Sequence, residues 1–338
     1  MVINDDFKKA VDLINNSGNV LLTSHTKPDG DACGCIVSIS NVLESMGKKS
    51  RAIMLSSMPE WYDFLFSDKV PILGEDVDLN QLADGSFGEF DLIIIVDTNS
   101  LSQLPEFDQY LKQNDKPVLI IDHHATADGL GDVELVDSSA AATGLIVYDL
   151  IKYAGWRITG TIAEALFVTV ATDTGWFQFS NTDSRVHRAC SELIEAGAKP
   201  IEIYHNLYQN FSYARFQLTV AMLNTLQLHL DGRLAIQQIS LRDFEQTGAT
   251  HKDTENLINE CRRISTVETA ALLVELEDGR IRCSLRSTGG IDVSAIAAKF
   301  GSGGHKKAAG TFLSGPLEEA KEIILKEVTE KIKSLSCK

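Results

Sequence analysis

The sequence predicts an α/β protein of two domains, a larger doubly wound and mostly parallel sheet followed by a smaller α/β domain. Short apolar runs such as Leu92 to Val96 alternate with stretches of helical period, the pattern of a parallel sheet wound by crossover helices. The run Val118, Leu119, Ile120 and Ile121 lies between Pro117 and charged residues, as a strand buried on both faces does. The chain has 338 residues, 44 % of them hydrophobic, too long for one ordinary core and apolar enough to fill two.

Each element follows in order. Phe7, Ala10, Val11 and Ile14 recur at helical spacing within residues 5–16, and Ser17, Gly18 and Asn19 end that helix. Val20 to Thr23 starts a first strand, which runs into a turn forced by Pro28 and Gly30; helical period resumes from Ala32 to Met46. A strand is read at Arg51 to Leu55, then an aromatic loop whose Trp61, Tyr62, Phe64 and Phe66 are packing residues. Strands at Leu92 to Val96 and Pro117 to Asp122 precede helices at Ala140 to Ala154 and Thr161 to Ala171. Helical segments at Val186 to Ala196 and Ile203 to Leu230 read as a linker. Beyond it come strands at Leu234 to Ile239, Ala270 to Leu276 and Arg280 to Arg286, helices at 253–264 and 292–300, and a glycine-rich stretch from Phe300 to Gly310. The domain boundaries are therefore set at 1–185, 186–230 and 231–338.

Composition narrows the function. A net charge of −16 disfavours a protein that neutralises many phosphates of long nucleic acid, so a phosphate-ester substrate should be short and metal ions should supply the positive field. The acidic start at Asp5 and Asp6 does not fit a signal peptide, and no apolar run reaches membrane-spanning length; a cytoplasmic location is expected. Cys33 and Cys35 stand two apart on an expected helix, point to different faces, and are read as reduced core residues.

The chemistry gathers at element ends. His25, Asp29 and Asp31 follow the first strand, Asp97 the Leu92 strand, and Asp122, His123 and His124 the Pro117 strand; Asp173 ends a helix. Ligands of open α/β sheets sit at these carboxyl ends. Carboxylates mixed with imidazoles suit Mn²⁺, Mg²⁺, Fe²⁺ or Co²⁺, and this many donors are right for two ions about 3.5–4 Å apart, the arrangement of phosphoryl hydrolysis. Asp29 and Asp31 also stand where helix caps are common. Independent caps do not explain why histidines share the same element ends.

The set His25, Asp29 and Asp31, then Asp97 with Thr98, then Asp122-His123-His124, then Asp173 between Thr172 and Thr174, resembles the four motifs of the DHH phosphoesterase superfamily. Arg286-Ser287, Asp292-Val293 with Ile296-Ala297, and Gly301, Gly303, Gly304 and His305 with Ala308-Ala309-Gly310 resemble the DHHA1 domain that follows it. The wording is closest to the nano-RNase branch, bifunctional oligoribonucleases that also dephosphorylate 3′-phosphoadenosine 5′-phosphate.

The resemblance implies a DHH domain over 1–185, a helical linker and a DHHA1 domain over 231–338, with the active site in the cleft between them. It implies that His25, Asp29 and Asp97 hold one Mn²⁺, and that Asp31, His123, Asp173 and the shared Asp97 hold a second, with Mg²⁺ or Co²⁺ as alternatives. Asp122 would orient His123, His124 would reach a phosphate oxygen, and the nucleophile would be hydroxide from water. Arg286, Ser287, Gly303, Gly304 and His305 would bind substrate, the glycines letting backbone N–H groups approach an anion.

The expected partners are short oligoribonucleotides and phosphorylated nucleotides, with no long duplex nucleic acid and no membrane; a homodimer is left open. A linear or cyclic dinucleotide phosphodiesterase is the alternative reading, and a non-catalytic nucleotide sensor the second. A pyrophosphatase would not need the Arg286 and glycine segments, and a RecJ-like exonuclease is disfavoured by the acidic charge. Gln103, Ala127 and Ser302 stand where family members often carry arginine, asparagine and glycine, so contacts to substrate, not the metal donors, differ from the pattern.

Overall fold

The structure, a computed structural model, describes residues 5–288 and 290–336. The chain divides into two compact units, Met1–Asn210 and Phe211–Lys338. This division falls inside the stretch read as a linker.

In the first unit, strands β1 (Asn19–Ser24), β2 (Lys49–Ala52), β3 (Leu92–Val96), β4 (Val118–Asp122) and β5 (Val133–Val136) form a parallel sheet in the order β2-β1-β3-β4-β5. β1, β3 and β4 are the apolar runs of the sequence, and their side chains alternate between two cores. Val20, Leu22, Ile94 and Ile121 face one that includes α1 (Asp5–Asn16) and α2 (Gly30–Ser45). Leu21, Ile93, Ile95 and Ile120 face the other, built with α3 (Leu79–Ala83) and α4 (Phe107–Gln113). Helices α5 (Thr143–Ala154), α6 (Gly160–Asp173) and α7 (Ser184–Glu195) pack on the first face, and α8 (Pro200–Tyr208) completes the unit. The expected doubly wound sheet is present. Its strand order reverses between β1 and β3, so the loops after those two strands diverge and open a crevice at their carboxyl ends.

The helix α2 lies against α6 through glycine. A Cβ at Gly34 would come within 2.5 Å of the Ala165 carbonyl oxygen, and one at Gly30 within 2.5 Å of the Thr172 hydroxyl. Because Asp31 starts α2 and Asp173 ends α6, this packing fixes how far apart the two carboxylates stand. Gly34→Ala is expected to destabilise the protein by about 2 kcal/mol through overpacking against backbone. Thermal unfolding checks it, and an unchanged midpoint would mean that α2 and α6 can separate freely.

Several elements differ from their sequence reading. The second strand covers Lys49–Ala52, and Met54 leaves it to pair with Ile72. The helix read from Ala140 begins at Thr143 because the Asp31 carboxylate accepts from the Thr143 and Gly144 N–H groups and caps it there. The long helix read from Ile203 is two helices. α8 ends at Tyr208, and α9 (Tyr213–Asn224) starts where the Ser212 hydroxyl caps the Arg215 N–H. The segment then ends in a strand, β6 (Gln227–His229). The helix read at 253–264 is a pair of 3₁₀ turns, His251–Thr254 and Leu257–Arg263, parted by Asn256 in the left-handed region at φ 61°.

The second unit is a mixed sheet with β7 (Leu234–Ile239), β8 (Thr269–Glu275), β9 (Arg280–Ser287), β10 (Gly304–His305) and β11 (Ala308–Ser314), in the order β10-β11-β9-β8-β7-β6. β7 and β8 run parallel and the other pairs antiparallel. α10 (Leu241–Thr247) follows β7. α11 (Ser294–Ala297) and α12 (Leu317–Ser336) cover one face, and α9 with the 3₁₀ turn Leu257–Arg263 part of the other. Among the described residues no helix is long and apolar enough to cross a membrane.

Candidate active site

The loop after β1 brings His25 and Asp29 to the crevice. The His25 Nδ1–H donates to the Thr26 carbonyl at 2.8 Å, which turns Nε2 toward the carboxylates of the crevice. That nitrogen stands 3.2 Å from Asp97 Oδ2 and 4.0 Å from Asp29 Oδ1. Asp29 is also the cap of α2, accepting from the Asp31 and Ala32 N–H groups through one oxygen, Oδ1. The cap reading and the ligand reading of Asp29 are therefore compatible.

Asp97 follows β3 with φ 63°, a left-handed backbone that Asp tolerates better than most residues and that aims its carboxylate into the crevice. Its N–H donates to the Ile121 carbonyl and its Oδ1 accepts from the Thr143 hydroxyl at 2.9 Å. Burial holds the Asp97 carboxyl well above the ordinary 3.8, and the charges of Asp31 and Asp29 push the same way. Asp31 is fully buried; burial pushes it up to about 6, opposed by His123 and by the N–H groups of Gly144 and Thr143. Asp173, at the end of α6, is also held well above 3.8 by burial and by the other carboxylates.

His123 repeats the logic of His25. Its Nδ1–H donates to the Ala140 carbonyl at 3.2 Å, and its Nε2 stands 3.3 Å from Asp173 Oδ2, 3.7 Å from Asp97 Oδ1 and 4.0 Å from Asp31 Oδ2. The expectation that Asp122 orients His123 is corrected by the structure. Asp122 Oδ1 accepts from His124, from Nδ1 at 2.8 Å and from the backbone N–H at 3.1 Å. The side chain that Asp122 positions is His124, whose imidazolium this hydrogen bond favours, raising its pKa from 6.5.

The Nε2 atoms of two imidazoles thus face four carboxylates across short gaps, and two of the carboxylates, Asp31 and Asp97, are buried. A divalent cation between them would relieve the crowding of charge, and the donor set is one that such ions accept. His25, Asp29 and Asp97 offer donor atoms within 4.8 Å of one another, and so do Asp31, His123 and Asp173. Asp97 and His124 with His123 form a third such group. The residues present therefore fit two divalent ions. Thr143 and Gly144, which tie Asp97 and Asp31 to the start of α5, are not legible in the sequence as part of the site. A Thr-Gly pair opening an apolar helix gives no distinctive signal. Gln103 lies beside the same loop, its carbonyl accepting the Thr26 N–H at 2.9 Å.

In the second unit, Arg286 projects from β9, and its Nη1 donates to the Leu285 carbonyl at 3.1 Å. Ser287 alternates to the opposite face of the strand, where its buried hydroxyl has no hydrogen-bond partner among the described residues. Gly304 has φ 147°, and a Cβ there would lie 2.6 Å from the Ala308 carbonyl oxygen, so glycine is required; around Gly303 the space is open. His305 belongs to β10, and its side chain lies outside the described residues.

Comparison with known proteins accounts for both units. The DHH family N-terminal domain matches residues 19–172 and the DHHA1 domain residues 231–334. The bifunctional oligoribonuclease and PAP phosphatase NrnA of Thermus thermophilus is 31 % identical over 322 residues, covering 93 % of this chain and 90 % of that protein. The protein of the same name from Bacillus subtilis is 27 % identical over 299 residues, covering 86 % and 88 %. A crystal structure of an exopolyphosphatase-related protein from Bacteroides fragilis superposes with a TM-score of 0.92 at 25 % identity, covering 100 % of this chain and 99 % of that one. Fold and donor set together define a metal-dependent phosphoesterase. The chain belongs to the DHH/DHHA1 phosphoesterase family, in its nano-RNase branch.

Proposed function

We propose that this protein is a Mn²⁺-dependent phosphodiesterase that cleaves very short oligoribonucleotides to mononucleotides, and that it also removes the 3′ phosphate of 3′-phosphoadenosine 5′-phosphate. The observation that carries the reading is the pair of donor groups meeting through Asp97 and His123. His25, Asp29 and Asp97 would hold one ion, and Asp31, His123 and Asp173, with Asp97 shared, the other. When bound, such a pair supplies Lewis acidity to the phosphate and makes water a nucleophile at neutral pH. The names of the relatives, and the mixed carboxylate and imidazole donors, support the substrate class and the choice of Mn²⁺.

The chain's own groups do the rest. Asp122 holds the Nδ1–H of His124, so Nε2 presents a proton to a phosphate oxygen and stabilises negative charge as it develops there. The Thr143 hydroxyl and the α5 N–H groups keep Asp97 and Asp31 from rotating. Arg286, which has no carboxylate within ion-pair distance among the described residues, is the anchor for a phosphate remote from the reaction.

Purified protein with Mn²⁺ should cleave di- and pentaribonucleotides much faster than a 24-mer, and should release phosphate from 3′-phosphoadenosine 5′-phosphate. Pyrophosphate and cyclic di-AMP should be poorer substrates. Equal rates on the dimer and the 24-mer would defeat the short-substrate claim. Arg286→Ala should raise KM for the dinucleotide about ten-fold with little change in kcat. An unmoved KM removes Arg286 from the binding site.

A further inference from the structure

Asp173 is held differently from the other buried carboxylates of the site. Asp31 accepts the Thr143 and Gly144 N–H groups, and Asp97 accepts the Thr143 hydroxyl. Among the described residues the Asp173 carboxylate accepts no such hydrogen bond and pairs with the Nε2 of His123, 3.3 Å away. Where it stands is therefore set by its backbone, at the last residue of α6, where the helical ladder no longer supplies partners for the carbonyl groups. The carbonyls of Val170, Ala171 and Thr172 take the N–H groups of Thr174, Trp176 and Gly175. The Asp173 carbonyl takes the side-chain amide of Asn181 at 3.1 Å.

The same Asn181 Nδ2 donates to the Ala141 carbonyl, also at 3.1 Å. Two carbonyl acceptors require the NH₂ end of the amide, with one hydrogen for each. Ala141 belongs to the stretch 140–144 that supports the rest of the site. There the Ala140 carbonyl accepts the His123 Nδ1–H, and Thr143 and Gly144 hold Asp97 and Asp31. Asn181 thus ties the end of α6, which carries Asp173, to the segment that orients the imidazole facing it.

The chain is bent sharply to bring Asn181 there. Gly175, Trp176 and Phe177 are left-handed at φ 56°, 57° and 66°, a conformation that bulky aromatic residues rarely adopt. The N–H groups of Gln178 and Phe179 close the turn on the Thr174 carbonyl. Trp176 lies edge-on to Tyr204 of α8 with ring centroids 5.0 Å apart, and Phe177 stacks on His187 of α7 at 5.6 Å. Strained backbone of this kind persists where its surroundings fix it, and here it returns the chain so that residue 181 meets the carbonyl of residue 173.

We propose that Asn181 is a positioning residue for the second ion, its amide fixing the spacing between Asp173 and His123 so that both present their donor atoms to one cation. The proposal rests on the two-ion reading of the site. Asn181 acts through those two residues and not on substrate.

The test is calorimetric titration of Mn²⁺ into the wild type, Asn181→Ala and Asn181→Leu, the last close to asparagine in shape but without donors. The wild type should bind two ions. In both variants one ion should bind about ten-fold more weakly and the other as before. Because Asn181 is exposed, its loss leaves no cavity in the core, and the metal-free variants should melt within about 2 °C of the wild type. At limiting Mn²⁺, kcat on a diribonucleotide should fall about ten-fold with KM changed less than about two-fold, and saturating Mn²⁺ should restore most of the rate. A merely structural role would do the reverse, lowering the metal-free melting point and leaving both ion affinities alone. That result overturns the proposal, as do variants that weaken both ions alike or that bind both and turn over as the wild type does. A wild type that binds fewer than two ions instead sinks the two-ion reading beneath it.

Discussion

Asp97→Asn is expected to lower kcat on a diribonucleotide by about 10³-fold or more while the protein stays folded. Asparagine keeps an oxygen for the Thr143 hydroxyl and tolerates the left-handed backbone at φ 63°, so the turn after β3 should survive. What it loses is a charge that stands between the two donor groups, 3.2 Å from the Nε2 of His25 through one oxygen and 3.7 Å from that of His123 through the other. Among the described residues no other carboxylate faces both imidazoles at such distances. Binding of Mn²⁺ should weaken in parallel, read by calorimetric titration of the metal alone. The metal-free variant should melt at the wild-type temperature or a few degrees above it. Burial and the charges of Asp31 and Asp29 hold this carboxyl well above its ordinary pKa, so ionising it at neutral pH costs stability that the amide does not. If activity falls by less than about ten-fold, Asp97 does not have the bridging role assigned to it.

Why the metal donors are legible in the sequence, and their supports are not, follows from where each acts. Asp97, Asp122 and His123 stand at the ends of apolar strands, and a parallel sheet puts those ends together whatever the details of packing. The supports depend on meetings between distant segments. Thr143 donates to a carboxylate 46 positions earlier in the chain, and the Asp31 carboxylate caps a helix that starts 112 positions later. Nothing local at Thr143 announces either. Sequence pairs Asp122 with its neighbour His123 because ligating histidines usually lean on a carboxylate; the Ala140 carbonyl fills that place instead, and Asp122 is free to hold His124. Periodicity fails in the second half for a related reason. Apolar residues from Ile203 to Leu230 keep helical spacing, but the Ser212 cap and the sheet edge at Gln227 break the segment into three elements. The glycine that lets α2 meet α6 is equally silent, since Gly34 inside a helical pattern looks like a weak point until Ala165 is seen beneath it.

Metal-free protein should lose stability as the pH is raised from about 5 to about 7.5, and Mn²⁺ should restore more at the higher pH. The sign follows from the carboxyls of Asp31, Asp97 and Asp173, all of which titrate above their ordinary value in the folded chain. Between the unfolded value of 3.8 and about 6 for Asp31, the folded state binds more protons than the unfolded state, so stability falls as pH rises. The penalty is absent below 3.8, where the group is protonated in both states, and fully present once the pH exceeds the folded value. Asp97 and Asp173 add to the same loss, since both are held well above 3.8. Divalent ions need these groups ionised, and their binding replaces mutual repulsion by attraction. The added midpoint on saturation with Mn²⁺ should therefore be larger at about pH 7.5 than at about pH 5, by on the order of 5 °C. Asp97→Asn provides the control, because it removes one of the titrating groups and should flatten the pH dependence of the metal-free protein. A melting series in which the metal-free wild type grows more stable across this interval, or in which Mn²⁺ helps equally at both ends, would show that the carboxylates do not crowd one another as their burial and spacing imply.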